Sequence, residues 1–145
     1  MPVDVLTEIL IDRPVAVVAA FAGDPSRAPE WYANIRSVEW LTPPPVAVGA
    51  RMAFVAHFLG RRLAYIYEVR ELVPGERLVM STAEGPFPME TTYTWSAEGE
   101  KTRMTLRNRG EPTGFAGVVA PVMAMMMRRA NQADLAKLKA LLESR

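Results

Sequence analysis

Tyr65, Tyr67, Tyr93 and Trp95 occur as the pairs YIY and YTW in two hydrophobic runs. Residues two apart on an extended chain share a face, so three phenol hydroxyls and an indole N–H are set to converge on one side of a sheet. In an apolar setting, a phenol can orient or polarise the carbonyl of a ligand. The same residues serve equally as plain core, because aromatics are favoured in strands. Little else in the chain offers chemistry. It has no cysteine, which removes disulfides, thiolate metal sites and cysteine nucleophiles. The single histidine, His57, is too few for a histidine-based metal centre. An imidazole is suited to acid–base work, but the parity of His57 in ARMAFVAHFL turns it to the outer face, and no nucleophile and carboxylate assemble around it. Neither a metal nor another cofactor is expected.

The 145 residues suit one domain spanning 1–145, large enough to bury a substantial core without a staple. Seventeen basic against sixteen acidic side chains leave a formal charge of +1, which gives no footprint for nucleic acid. The apolar N-terminal run is interrupted by Asp4, Glu8, Asp12 and Arg13 before a signal core or a membrane span could form. A cytoplasmic protein with no stable membrane span is the expectation.

Residues 3 to 12 alternate apolar and polar, with enough hydrophobics at both parities for a strand covered on much of both faces. Pro14 suits the first position of a helix, with Asp12 ahead as its cap and Gly23 as its end. Asp24-Pro25 and Pro29-Glu30 restart short helical turns through Trp31 and Tyr32. Residues 36 to 109 then read as six strands joined by short turns at TPPP…Gly49, Leu59-Gly60, Pro74-Gly75, GPFP and Ala97–Glu100, an antiparallel meander. Residues 113 to 143 carry a helical period marked by Leu135, Leu138, Leu141 and Leu142.

Alternation assigns the faces. Arg51, Arg61, Arg62, Arg103, Arg107 and Arg109 belong outside, pairing with Glu68, Glu84 and Glu90. Met52, Phe54, Tyr65, Tyr67, Met89, Thr91, Tyr93, Trp95, Met104, Leu106 and Asn108 then face inward, with Trp31 on the short helix and Asn34 beside it. Asn34 and Asn108 serve either a ligand or a turn cap. Stepping about 100° per residue from Leu138 puts Met123 and Met127 near the leucine stripe, with Ala116, Ala120 and Ala124 on the same face and Met126 at its flank. Small alanines opposite large aromatics leave a void that flexible methionines can line. Met125 lies on another face, with Phe115, Val118 and Val122. That apolar stripe predicts a cover, from the short N-terminal helices or from a second subunit in a homodimer. Pro121 predicts a kink or a late helix start.

The order strand, two short helices, six antiparallel strands and a long C-terminal helix resembles the START-like superfamily, also labelled SRPBCC or polyketide cyclase/dehydrase, which includes pollen-allergen-like and lipid-transfer proteins. The carriers are IDRPVAVVAAFAGD, PEWYANIRSVEW, VGARM, YEVRELVPGERL and ADLAKLKALLES, in that order across essentially the whole chain. None is a catalytic motif, so they speak for the fold rather than for a chemistry. The resemblance implies an α+β helix-grip fold, with a curved sheet of about seven strands around the last helix and a cavity between them for a lipid, polyketide or similar hydrophobic small molecule. Two functions follow: a carrier or sensor, or an enzyme similar to the polyketide cyclases and aromatases. In the enzyme reading the Tyr65, Tyr67 and Tyr93 hydroxyls would polarise a carbonyl while the cavity folds the substrate. A resemblance to the chaperone-activating branch would require a large exposed apolar patch outside the cavity. The proline-rich loops Thr42–Pro45 and Gly85–Pro88 are expected to rim one end of the sheet, either as the cavity mouth or as plain connections.

Overall fold

The computed structural model describes residues 3–111 and 119–145. In chain order they form β1 (Val3–Ile11), α1 (Val15–Ala22), a 3-10 turn (Pro25–Arg27), α2 (Ala28–Trp31), β2 (Ile35–Trp40), β3 (Arg51–Phe58), β4 (Arg61–Val73), β5 (Arg77–Glu84), β6 (Met89–Glu98), β7 (Lys101–Gly110) and α3 (Ala120–Glu143). The strands make one antiparallel sheet in the order β1-β7-β6-β5-β4-β3-β2. From β2 to β7 every strand lies beside its neighbour in sequence, because each connection is too short for a crossover. Leu59 and Gly60 both take positive φ, 51° and 77°, as the tight turn between β3 and β4 demands.

The inward parities hold along the sheet. Met52, Phe54, Leu63, Tyr67, Val69, Tyr93, Trp95, Met104 and Leu106 are buried, while Arg51, Arg70 and Arg109 are exposed. Outside, Arg51 pairs with Glu68 at 2.9 Å, Arg107 with Asp4 at 2.6 Å, Arg109 with Glu90 at 3.7 Å, and Arg103 with Glu98. His57 sits on this outer face, accepting a hydrogen bond at Nδ1 from Arg36 at 3.4 Å. The first strand departs from expectation. Leu6 is 58% exposed, because β1 is an edge strand whose inner face alone is covered, by α3.

The curled sheet holds α3 by its leucines: Leu135, Leu138 and Leu142 are buried in one cluster with Trp31, Val69, Leu78, Trp95 and Met104. Lys139 donates to the Leu10 carbonyl at 2.9 Å, and the Asp12 N–H donates to the Glu143 carboxylate at 2.8 Å, which pins the helix end to the end of β1. A smaller cluster of Val3, Val5 and Met123, joined by Phe58, Ala124 and Met127, lies toward the other end of the helix. This is the helix-grip α+β arrangement. No described helix is long and apolar enough to cross a membrane.

Several local expectations shift. Pro14 is the residue before α1 rather than its first, and Asp12 is tied to Glu143 instead of capping. Pro121 falls at the helix start, so the late start occurs; its missing N–H is one that no helix start can satisfy anyway. Residues 113–118, including Phe115, Ala116 and Val118, lie outside the described residues. The short helices do not cover the second stripe: Val122 is 40% exposed and Met125 60%. The two proline-rich loops sit at opposite ends of the sheet, since three antiparallel strands separate the β2–β3 connection from the β5–β6 connection.

Candidate functional site

Between the two hydrophobic clusters the packing leaves a cavity of about 140 Å³. It lies at the end of the sheet where the β3–β4 and β5–β6 turns close. Phe54, Ala56, Leu63, Tyr65, Met80 and Met89 wall it from the sheet, Phe87 from the β5–β6 loop, and Met123, Met127 and Ala130 from α3. Tyr65 stacks on Phe54, with ring centroids 5.4 Å apart and planes within 1°, and meets Tyr67 edge-on at 4.9 Å. The wall is mostly apolar, and its polar groups are few enough to follow one by one.

Thr91, opposite Asn108 in the β6–β7 register, donates from Oγ1 to Asn108 Oδ1 at 2.9 Å. Its only proton is then spent, so in the 2.8 Å contact between Tyr67 and Thr91 the tyrosine donates. Tyr67 is left able only to accept from a ligand. Tyr93 and Tyr32 share a hydrogen bond of 2.6 Å between hydroxyls. One proton serves that bond, and the other remains to donate. Burial, the largest cause, raises the pKa of all four tyrosines, Tyr67 to about 12, and the charge of each ionised neighbour adds to it for Tyr32, Tyr65 and Tyr93. At neutral pH they are phenols, not phenolate bases.

Two polar residues of α3 complete the wall. Asp134 is buried and accepts the Ala33 N–H at 3.0 Å, which ties α3 to the turn carrying Tyr32 and Asn34. Burial lifts its carboxyl to about 6, against the smaller lowering effects of the Ala33 bond and the Lys137 charge. Asn131, one helical turn earlier and 4% exposed, has a side-chain N–H group with no hydrogen-bond partner among the described residues.

Of the sequence candidates, Phe54, Tyr65, Tyr67, Met89, Thr91, Tyr93, Asn108, Met123 and Met127 lie on this wall, and Asn34 joins them from the bend after α2. Trp31, Met52, Trp95, Met104 and Leu106 do not line it; they are core packed beneath, where the α3 leucines fill the curl. Ala120 and Ala124 are partly buried off the wall, and Met126 is 38% exposed. Parity reports the side of a sheet but not the position along a strand, and the cavity occupies only one end. Tyr32, Asn131 and Asp134 were missed. The signal was present: four residues on from Met127 is Asn131, and four back from Leu138 is Asp134, polar residues on an apolar stripe.

A more open hollow of about 680 Å³ lies at the other end of the sheet, walled by Ala16, Ala19, Trp40, Pro45, Leu78 and Trp95. Of its polar groups, Ser26 accepts from the Trp40 indole at 2.7 Å, Asp24 accepts the Ser26 N–H at 3.0 Å, and the Trp95 indole N–H has no partner among the described residues. The inner cavity is where a buried carboxyl, an unpartnered amide and a pair of phenols meet.

Among solved structures, the fold resembles protein TTHA0849 from Thermus thermophilus, at TM-score 0.82 and 23% identity over 97% of each chain. A START superfamily protein from Mycobacterium smegmatis superposes at 0.84, with 13% identity over 97% of each chain. The Zhui aromatase/cyclase from a Streptomyces species superposes at 0.79, with 16% identity over 99% of this chain and 94% of that one. At such identities the likeness is one of fold. No curated protein matches the chain by sequence. The family model described as polyketide cyclase / dehydrase and lipid transport matches residues 2–143, and the chain belongs to that family.

Proposed function

We propose that the protein binds a hydrophobic small molecule in the cavity between the sheet and α3, as a carrier or sensor. The observation that carries this reading is a cavity with a mostly apolar surface between two packed hydrophobic clusters, with hydroxyl, amide and carboxyl groups placed on its wall. Size narrows the occupant. Ligand sites for drug-sized molecules run from roughly 300 Å³ upward, whereas an apolar cavity of about 150 Å³ holds a benzene molecule. At about 140 Å³ the closed part suits a single ring, with any further length directed toward the opening.

Native mass spectrometry of freshly purified protein tests this directly. A co-purified or added one-ring compound should appear as a mass shift that disappears on denaturation, and Met127→Trp, which fills the cavity, should abolish it. Wild-type protein that takes up no compound from a panel of apolar one-ring probes would refute the reading.

A cyclase-like enzyme is favoured by one specific observation, the presence of Asp134 on the same wall as the Tyr32–Tyr93 pair. Above pH 6 its carboxylate can take the proton from a carbon next to a carbonyl while a phenol O–H hydrogen-bonds to the acceptor carbonyl. Carbon–carbon bond formation then leaves an alkoxide that takes the phenol proton, and Asp134 returns its own proton to the phenolate. The cycle balances without a co-reactant. Asp134→Asn would abolish such a reaction while leaving ligand uptake in place.

A further inference from the structure

We infer that Asn131 selects the ligand, its side-chain amide donating to a neutral carbonyl oxygen attached to a single-ring compound held in the cavity. The inference rests on the binding reading above and adds the ligand's chemistry to it.

Asn131 carries two side-chain N–H donors, is 4% exposed, and lines the cavity with no partner for that group among the described residues. A buried donor without a partner is costly, and of the three such donors among the described residues, on Trp31, Trp95 and Asn131, only that of Asn131 belongs to a residue of the cavity wall. The site that would meet this one is the cavity itself. Asn131 interrupts the apolar stripe running from Met123 and Met127 to Leu135 and Leu138, where a leucine would pack with no polar atom to satisfy. The other wall groups do not supply the missing acceptor. Asn108 Oδ1 is bonded to Thr91 and Asp134 Oδ1 to the Ala33 N–H, and none of the wall oxygens stands within hydrogen-bond reach of the Asn131 N–H group.

The charge of the ligand follows from the neighbourhood. Asp134 lies three residues on, on the same wall, and Glu90 stands at the cavity with its partner Arg109. A carboxylate ligand would bring a second buried anion beside Asp134, while the cation on the described wall, Arg109, is already paired with Glu90. A ketone or aldehyde oxygen needs no such balance. Its second lone pair can accept the spare proton of the Tyr32–Tyr93 pair. The volume of about 140 Å³ sets the rest of the molecule at about one ring.

The test compares acetophenone with α-methylstyrene, which has the same shape with a methylene in place of the carbonyl oxygen. Affinities are measured by calorimetry, and the Asn131 side-chain NH₂ signals are followed by ¹H–¹⁵N NMR in the wild type. Acetophenone should bind roughly tenfold tighter, within the range of about five- to a hundredfold that an unmade buried hydrogen bond implies. It alone should move the Asn131 NH₂ signals downfield. Asn131→Leu should bring the two probes to parity by strengthening the styrene and weakening the ketone. Equal affinities in the wild type, or a preference that survives in Asn131→Leu, would overturn the inference and leave the cavity reading standing. Binding of neither probe would overturn both. The wild-type comparison and the NMR signal decide the matter even if the leucine variant does not fold.

Discussion

Replacing Asp134 by Asn should stabilise the protein at neutral pH and leave it unchanged near pH 4. The carboxyl has a folded-state pKa of about 6 against 3.8 for the free group, because burial disfavours its charge more than the Ala33 N–H and Lys137 favour it. The folded state therefore holds this proton more tightly than the unfolded chain. Below about pH 4 both states are protonated and nothing is lost. As pH rises from about 4 to 6 the unfolded chain ionises first, and stability falls; above 6 the penalty is constant. A gap of about two on the pH scale corresponds to roughly 3 kcal/mol. Asparagine keeps an acceptor for Ala33 without the charge, so it should recover most of that amount. At roughly 3 °C per kcal/mol for a chain of this size, Tm of the variant should exceed wild type by roughly 5 to 10 °C at pH 7.5. Scanning calorimetry at several pH values measures it. Asp4, Glu98 and Glu143 have lowered pKa values and act with the opposite sign, but they cancel in the difference between variant and wild type. A difference in Tm that is the same at pH 4 and pH 7.5, or a destabilised variant at pH 7.5, would refute the reasoning. The expected gain is also what a residue kept for its site rather than for the fold should show.

Leu138→Ala, at a fully buried position in the main cluster, should cost about 2 to 5 kcal/mol in urea unfolding with an unchanged m-value. Tyr93→Phe leaves the half-buried Tyr32 hydroxyl without its 2.6 Å partner and should cost about 1 kcal/mol, whereas the double variant with Tyr32→Phe should recover much of it. Leu59→Asn relieves a left-handed leucine at φ 51° in an exposed turn and should raise stability by up to about 1 kcal/mol, read from the same urea curves. If a second copy covers Val122 and Met125, light scattering should find a dimer in the wild type and a monomer for Met125→Glu, and the monomer should unfold at lower urea because association no longer supports it. A wild-type monomer at tens of micromolar would remove that idea.

The fold was legible because its signals are local and repeated. Alternation along METTYTWS and TRMTLRNR carries one face each, and short turns leave antiparallel pairing as the only topology. The cavity was legible only in part, because its position depends on how far along each inward face the helix fills the curl. Trp95 and Met104 have the parity of Tyr93 and Asn108, yet they pack in the main cluster with Trp31 and Leu138 and do not reach the cavity. A similar limit governs the proline loops, which composition groups together and strand count separates. α3 is the instructive case. Reading its apolar residues alone yields a stripe of leucines and methionines, and the stripe is correct. The information about function lies in the two positions where the stripe is broken, Asn131 and Asp134. A helix that only needed to be gripped would gain stability from apolar residues there, so polar ones on the buried face mark the stretch of α3 that packing does not explain.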